Sequence, residues 1–128
     1  MSTDLATATN HQIRLAARPV GLPKDSDWSF AEEPVTLPAD GGVLVRSTHL
    51  SLDPAMRGWM NEGKSYIAPV GIGEVMRAGG IGVVVASQNP AFAVGDQVSA
   101  TLGVQEYCLI PAAQIQRNHL DGREYLGV

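Results

Sequence analysis

Cysteine is almost missing from this chain: Cys108 is the only one in 128 residues. One thiol closes no intrachain disulfide and leaves no thiolate zinc site. Without a disulfide framework, the reducing cytoplasm is the expected compartment. Charge is scarce as well, at 17% of residues with a net of −4. No block of Lys and Arg occurs, so there is no electrostatic reason to bind nucleic acid or an anionic membrane. No apolar run reaches the length of a membrane span. The opening residues lack the basic and apolar regions of a secretory signal. His11, His49 and His119 are far apart and without ligand spacing, which makes them surface or core histidines rather than metal ligands. Dinucleotide fingerprints also fail. Gly71-Ile72-Gly73 has Met76 where a third glycine belongs, and Gly80-Ile81-Gly82 has Val85. Neither lies between a strand and a helix.

What is present is a turn-rich chain with 14 glycines, 8 prolines and 45% apolar residues. That composition predicts a single, mainly β domain. Residues 1–9 read as a mobile tail. His11 to Ala17 alternates, with Ile13 and Leu15 on one face and Gln12 and Arg14 on the other, as in a half-buried strand. Trp28 to Val35 is a second, weaker strand with Phe30 its best core candidate. Val43 to Leu52 is a third. Gly63 to Gly73 is too broken for a long element and is a candidate site wall. Ile81 to Ala86, apolar on both faces and β-branched, is expected as the innermost strand. Gln97 to Leu102 points Val98, Ala100 and Leu102 inward, and Val104 to Ile110 follows. Pro111 to Ile115 is a short turn or helical piece. Gly95 supplies a positive φ in its turn. Cys108 reads as a small core residue. About seven short strands with glycine turns and one helical turn suggest a partly open β-barrel.

The stretch Ser47 to Met60 departs from that strand pattern. At Asp53-Pro54 strand gives way to a short helix, expected from Pro54 to Met60. Asp is a favoured N-cap, and Pro is tolerated at the first helical position. A capped turn plugging one end of a small barrel is the plain reading of this stretch; an active-site segment is the other.

Leu50-Ser51-Leu52-Asp53-Pro54-x-Met56-Arg57-Gly58 resembles the signature of the zinc-independent medium-chain reductases, the alkenal, prostaglandin and curcumin double-bond reductases. Ser65-Tyr66-Ile67-x-Pro69, Gly73-Glu74-x-Met76-x-x-Gly79-Gly80, Gly95-Asp96-x-Val98 and Gln105-Glu106-Tyr107 follow in the family's order. The likeness covers about residues 10–128 and implies the GroES-like catalytic domain of such an enzyme. In the family the nicotinamide cofactor binds a Rossmann unit C-terminal to this domain. A similar Tyr-Leu-Gly to Tyr125-Leu126-Gly127 leads into it, so the chain is expected to be one portion of a longer reductase.

The resemblance implies NADPH-dependent reduction of the C=C bond of an enone or enal, without metal, and a fragment inactive alone. It places Met56 against the nicotinamide or substrate and makes Tyr66 the best phenol for lining the pocket. Asp53, Pro54, Arg57 and Gln105 lie near the cofactor. For Asp53 and Arg57, fixing the local backbone is the favoured role. Many relatives have Tyr where this chain has Ala55, which removes a donor and a ring's volume and implies a wider substrate pocket. The interface left for the missing domain implies self-association, a homodimer being one form. The rival reading is a free-standing GroES-like β-barrel that binds or assembles without catalysis.

Overall fold

The computed structural model describes residues 5, 7–61 and 68–112. Six strands and one short α-helix are found among them: β1 (Thr9–Leu15), β2 (Trp28–Pro34), β3 (Val43–Leu50), α1 (Ala55–Trp59), β4 (Gly79–Ser87), β5 (Gln97–Thr101) and β6 (Tyr107–Ile110). β1 and β2 form an antiparallel pair, and the other four make a sheet in the order β5-β4-β3-β6. The sheets stay open and do not close on themselves, in keeping with the mainly β, partly open architecture expected. No described helix is long and apolar enough to cross a membrane.

Val43, Leu44 and Val45 are all buried, because β3 is an interior strand with both faces covered. With Val84, Val98, Leu102 and Ile110 the two valines make one core cluster, against which Ala100 and Cys108 pack. β4 also lies inside the sheet, as its β-branched run predicted. Leu15, Met60, Val70 and Met76 form a second cluster, joined at its margin by Trp28, Met56, Trp59 and Val104. Each such aliphatic side chain contributes roughly 1.5–3 kcal/mol by leaving water. Gly95 has φ +99°, as its turn required. Burial pushes the Cys108 thiol up to about 11.

Phe30 is a correction. It is 83% exposed and no part of either core. Among the described residues β2 pairs with β1 alone, and none of them forms a second layer over the Phe30 face. Gln12 also departs from expectation, for it and Asn10 are buried. Their amides meet Gln105: Asn10 Nδ2 and Gln12 Nε2 each donate to Gln105 Oε1 at 3.0 Å. Residues 104–106 precede β6 and bridge to β1 instead of extending that strand. β3 stops at Leu50, and α1 begins one residue later than expected, with Pro54 at its N-cap. The expected features at residues 1–4, 6, 62–67 and 113–128 lie outside the described residues. These include most of the tail, Tyr66, His119 and the piece at Ala113 to Ile115.

At Gly82, β3 and β4 approach so closely that a Cβ would sit 2.5 Å from Val45 Cγ1 and 2.6 Å from the Arg46 carbonyl oxygen. Gly82→Ala is expected to cost about 1–3 kcal/mol in urea unfolding. Gly58 in α1 has open space around it. Gly58→Ala is expected to gain about 0.5–1 kcal/mol in the same measurement.

Candidate functional site

The α1 corner is assembled from backbone outward. Asp53 Oδ1 accepts the Ala55 N–H at 3.0 Å, and the Asp53 carbonyl accepts the Met56 N–H at 3.1 Å. Pro54, at φ −61° and ψ −26°, is already helical. Asp53 therefore shapes the turn. Arg57 does the same at longer range. Its Nη2 donates to the carbonyls of Pro19 and Gly21, both at 3.0 Å, and its Nη1 to Asn61 Oδ1 at 2.6 Å. The rigid fork of a guanidinium suits such a staple. Arg18 adds a second, with Nη1 donating to the carbonyls of Met60 (2.9 Å) and Val70 (2.7 Å).

This scaffold leaves Met56 half-buried along an open apolar cleft of about 240 Å³. Leu52, Trp28, Phe30 and Met76 line it with Met56. Leu52 is 83% exposed at the rim of this cleft. Ala55 is exposed on α1 beside Met56. A second, wider concavity of about 720 Å³ shares Ile13, Phe30 and Val104 with the first. It runs along β1 and β2 to His11, Glu32 and Glu106.

The far end of that concavity is ionic. His11 and Glu32 are register partners across β1 and β2, with Nε2 2.8 Å from Glu32 Oε1. His11 Nδ1 meets Glu106 Oε1, which also accepts the His11 backbone N–H at 2.9 Å. The hydrogen bond that His11 donates to Glu106, and the charge of that carboxylate, with support from Glu32, raise the His11 pKa above its usual 6.5. The backbone N–H of His11, then its ring, hold the Glu106 carboxyl below its usual 4.5. No cluster of three or more ligating side chains suited to a metal occurs among the described residues.

The structure thus gathers Asp53, Pro54, Ala55, Met56 and Arg57 at one corner and sets Gln105 on the wall of the wider concavity. The Gln105 amide is engaged internally, donating to the Leu102 carbonyl at 2.8 Å while it accepts from Asn10 and Gln12. Sequence reasoning missed Phe30 and Leu52 as lining residues and His11, Glu32 and Glu106 as a cluster. Alternation puts His11 with Ile13 and Phe30 with Glu32. Only the register of β1 on β2, and the bridge to residues 104–106, brings the two pairs to one face.

Comparison with known proteins gives the class first. The family described as the N-terminal domain of oxidoreductase matches residues 11–117. The chain belongs to that family. It is 43% identical over 98 residues to an NADPH-dependent curcumin reductase of Escherichia coli K12, covering 77% of this chain and 28% of that protein. It is 33% identical over 111 residues to an NADP-dependent 2-alkenal reductase of Nicotiana tabacum, covering 83% and 32%. Among solved structures, CurA from Vibrio vulnificus superposes with a TM-score of 0.76 at 48% identity, over 78% of this chain and 30% of CurA. CurA in complex with NADPH gives 0.74 at 46% identity, over 77% and 29%. The chain therefore spans about a third of the length of these relatives.

The His11 pin fixes a pH dependence. A raised histidine pKa adds stability that is complete below 6.5 and is lost as pH rises through the folded value. A lowered Glu106 pKa adds stability that is complete above 4.5 and is lost as pH falls through the folded value. The difference in unfolding free energy between the native chain and His11→Gln is expected to peak between pH 4.5 and 6.5 and to shrink above. Urea titrations at stepped pH measure it.

Proposed function

We propose that this chain is the catalytic-domain portion of an NADPH-dependent reductase. Its substrate is an α,β-unsaturated carbonyl compound, reduced at the C=C bond. The observation that carries this reading is the open apolar cleft beside Met56 at the α1 corner. Relatives named for curcumin and 2-alkenal reduction support it, as does the NADPH complex of a homologous structure.

The residues present suit the nicotinamide end of the cofactor. Met56 and Leu52 offer an apolar wall for a flat ring, whereas the described residues gather no glycine-rich phosphate cradle. Arg57 is tied to the loop at Pro19 and Gly21 and acts here as a brace. When bound, NADPH supplies the hydride to the enone's β-carbon. Met56, Leu52 and Phe30 exclude water and orient the alkene. Negative charge on the carbonyl oxygen calls for hydrogen-bond donors aimed at it. The described lining of the narrow cleft has almost no polar surface, so those donors come from Tyr66 or from the rest of the longer protein. Hydroxyl donors make a metal unnecessary. Cytoplasmic residence suits such an enzyme.

Two measurements test this. Titration of the 128-residue chain with NADPH, followed by cofactor fluorescence, is expected to show neither oxidation nor micromolar binding; tight binding would place the cofactor site within this chain. In the complete enzyme, Ala55→Tyr is expected to shift kcat/KM toward smaller enones, roughly tenfold if one ring's volume and one donor decide fit. An unchanged substrate order would remove Ala55 from the pocket.

A further inference from the structure

We propose that Met56 is a modification site: a hydroperoxide entering the narrow cleft converts its thioether to the sulfoxide, and the sulfoxide shuts the cleft to apolar substrates. The second half of this rests on the reductase reading above; the first does not. Oxidation of a methionine requires that peroxide reach the sulfur, and the described methionines differ in access. Met60 is 5% exposed and Met76 2%. Both belong to the core cluster beneath α1. Met56 stands at the margin of that cluster, half-buried, on the lining of an open cleft. The one thiol of the chain is no competitor. Cys108 packs against the core of the larger sheet, and burial pushes its pKa up to about 11, which leaves little thiolate to react.

The surroundings of the sulfur decide what its oxidation does. The Asp53 backbone N–H points at Met56 Sδ, 3.5 Å away. A thioether is a weak acceptor and gains little from that donor. In the reaction a sulfur lone pair attacks one peroxide oxygen, and the S–O bond forms as the O–O bond breaks. Sulfur is oxidised by two electrons. The other oxygen takes the proton of the transferred one and leaves as water, or as an alcohol from an organic hydroperoxide. The product is polar and chiral where the thioether was flexible and apolar. Its oxygen is a far better acceptor, and the Asp53 N–H is the donor beside it. That N–H belongs to the turn that opens α1, whose Asp53 carbonyl already holds the Met56 N–H at 3.1 Å. A sulfoxide anchored there sets a strong dipole among Leu52, Trp28 and Phe30, in a lining with almost no polar surface. An alkene that met an apolar wall must then displace water from a polar one.

The test exposes the complete enzyme to hydrogen peroxide, removes it, maps the peptides by mass and follows kcat/KM for an enone. Addition of oxygen at Met56 is expected before any at Met60 or Met76. As that peptide is converted, kcat/KM is expected to fall about tenfold. Methionine sulfoxide reductases A and B together are expected to restore it. Met56→Leu removes the sulfur and keeps an apolar wall; whatever its starting rate, that rate is expected to survive the same exposure. Oxidation of Met60 or Met76 in step with Met56 would overturn the site. Complete conversion of Met56 with kcat/KM unchanged, or an equal loss in Met56→Leu, would overturn the effect on the cleft while leaving enone reduction standing. Failure of the untreated enzyme to consume NADPH with any enone would overturn the reductase reading, and the order of oxidation in the peptides would still decide the site.

Discussion

Everything on the functional face depends on how β1 is held. Its two sides do different work. Asn10 and Gln12 turn inward to a small amide network in which Asn10 also exchanges hydrogen bonds with the Tyr107 backbone, at 3.0 and 3.1 Å. The strand's own backbone is gripped from residues 104–106 and 73–76, by bonds such as Ile13 N–H to the Val104 carbonyl and Met76 N–H to the Ile13 carbonyl, both 2.9 Å. Buried amides are costly unless satisfied, so this network admits one arrangement of β1 against the larger sheet. His11 and Ile13 are thereby committed to the opposite face, where the concavities lie.

The same logic governs the α1 corner. A five-residue helix cannot stand by itself. Met60 sinks into the core beneath it, and Arg57 and Arg18 collect carbonyls from the loop at Pro19 to Gly21 and from Val70. Two cations are thus engaged in holding irregular backbone, which leaves the outer side of the corner apolar. Placing a cleft where the packing is least regular is the usual arrangement when a rigid sheet carries variable loops.

Much of this was legible in the chain. The β-branched run at Ile81 to Ala86 and the alternation at Gln97 to Leu102 led directly to the larger sheet and its core. Asp53-Pro54 marked the turn to within one residue. Phe30 shows where such reading stops. Alternation says that a side chain has a face, and size says that it prefers burial, but neither says whether a second layer exists to cover it. β2 has no such layer among the described residues. The ionic end of the wider concavity was hidden for another reason. His11, Glu32 and Glu106 are scattered in sequence, and strand register, a long-range property, brings them within hydrogen-bond reach.

Cys108 has a bearing on the chemistry proposed here. Conjugated carbonyls are soft electrophiles, and the species they attack in proteins is the thiolate. With its acidity moved to about 11, the sole sulfhydryl of this chain is ionised in roughly one molecule in ten thousand at neutral pH. Burial thus biases this sulfur toward its protonated, less nucleophilic form.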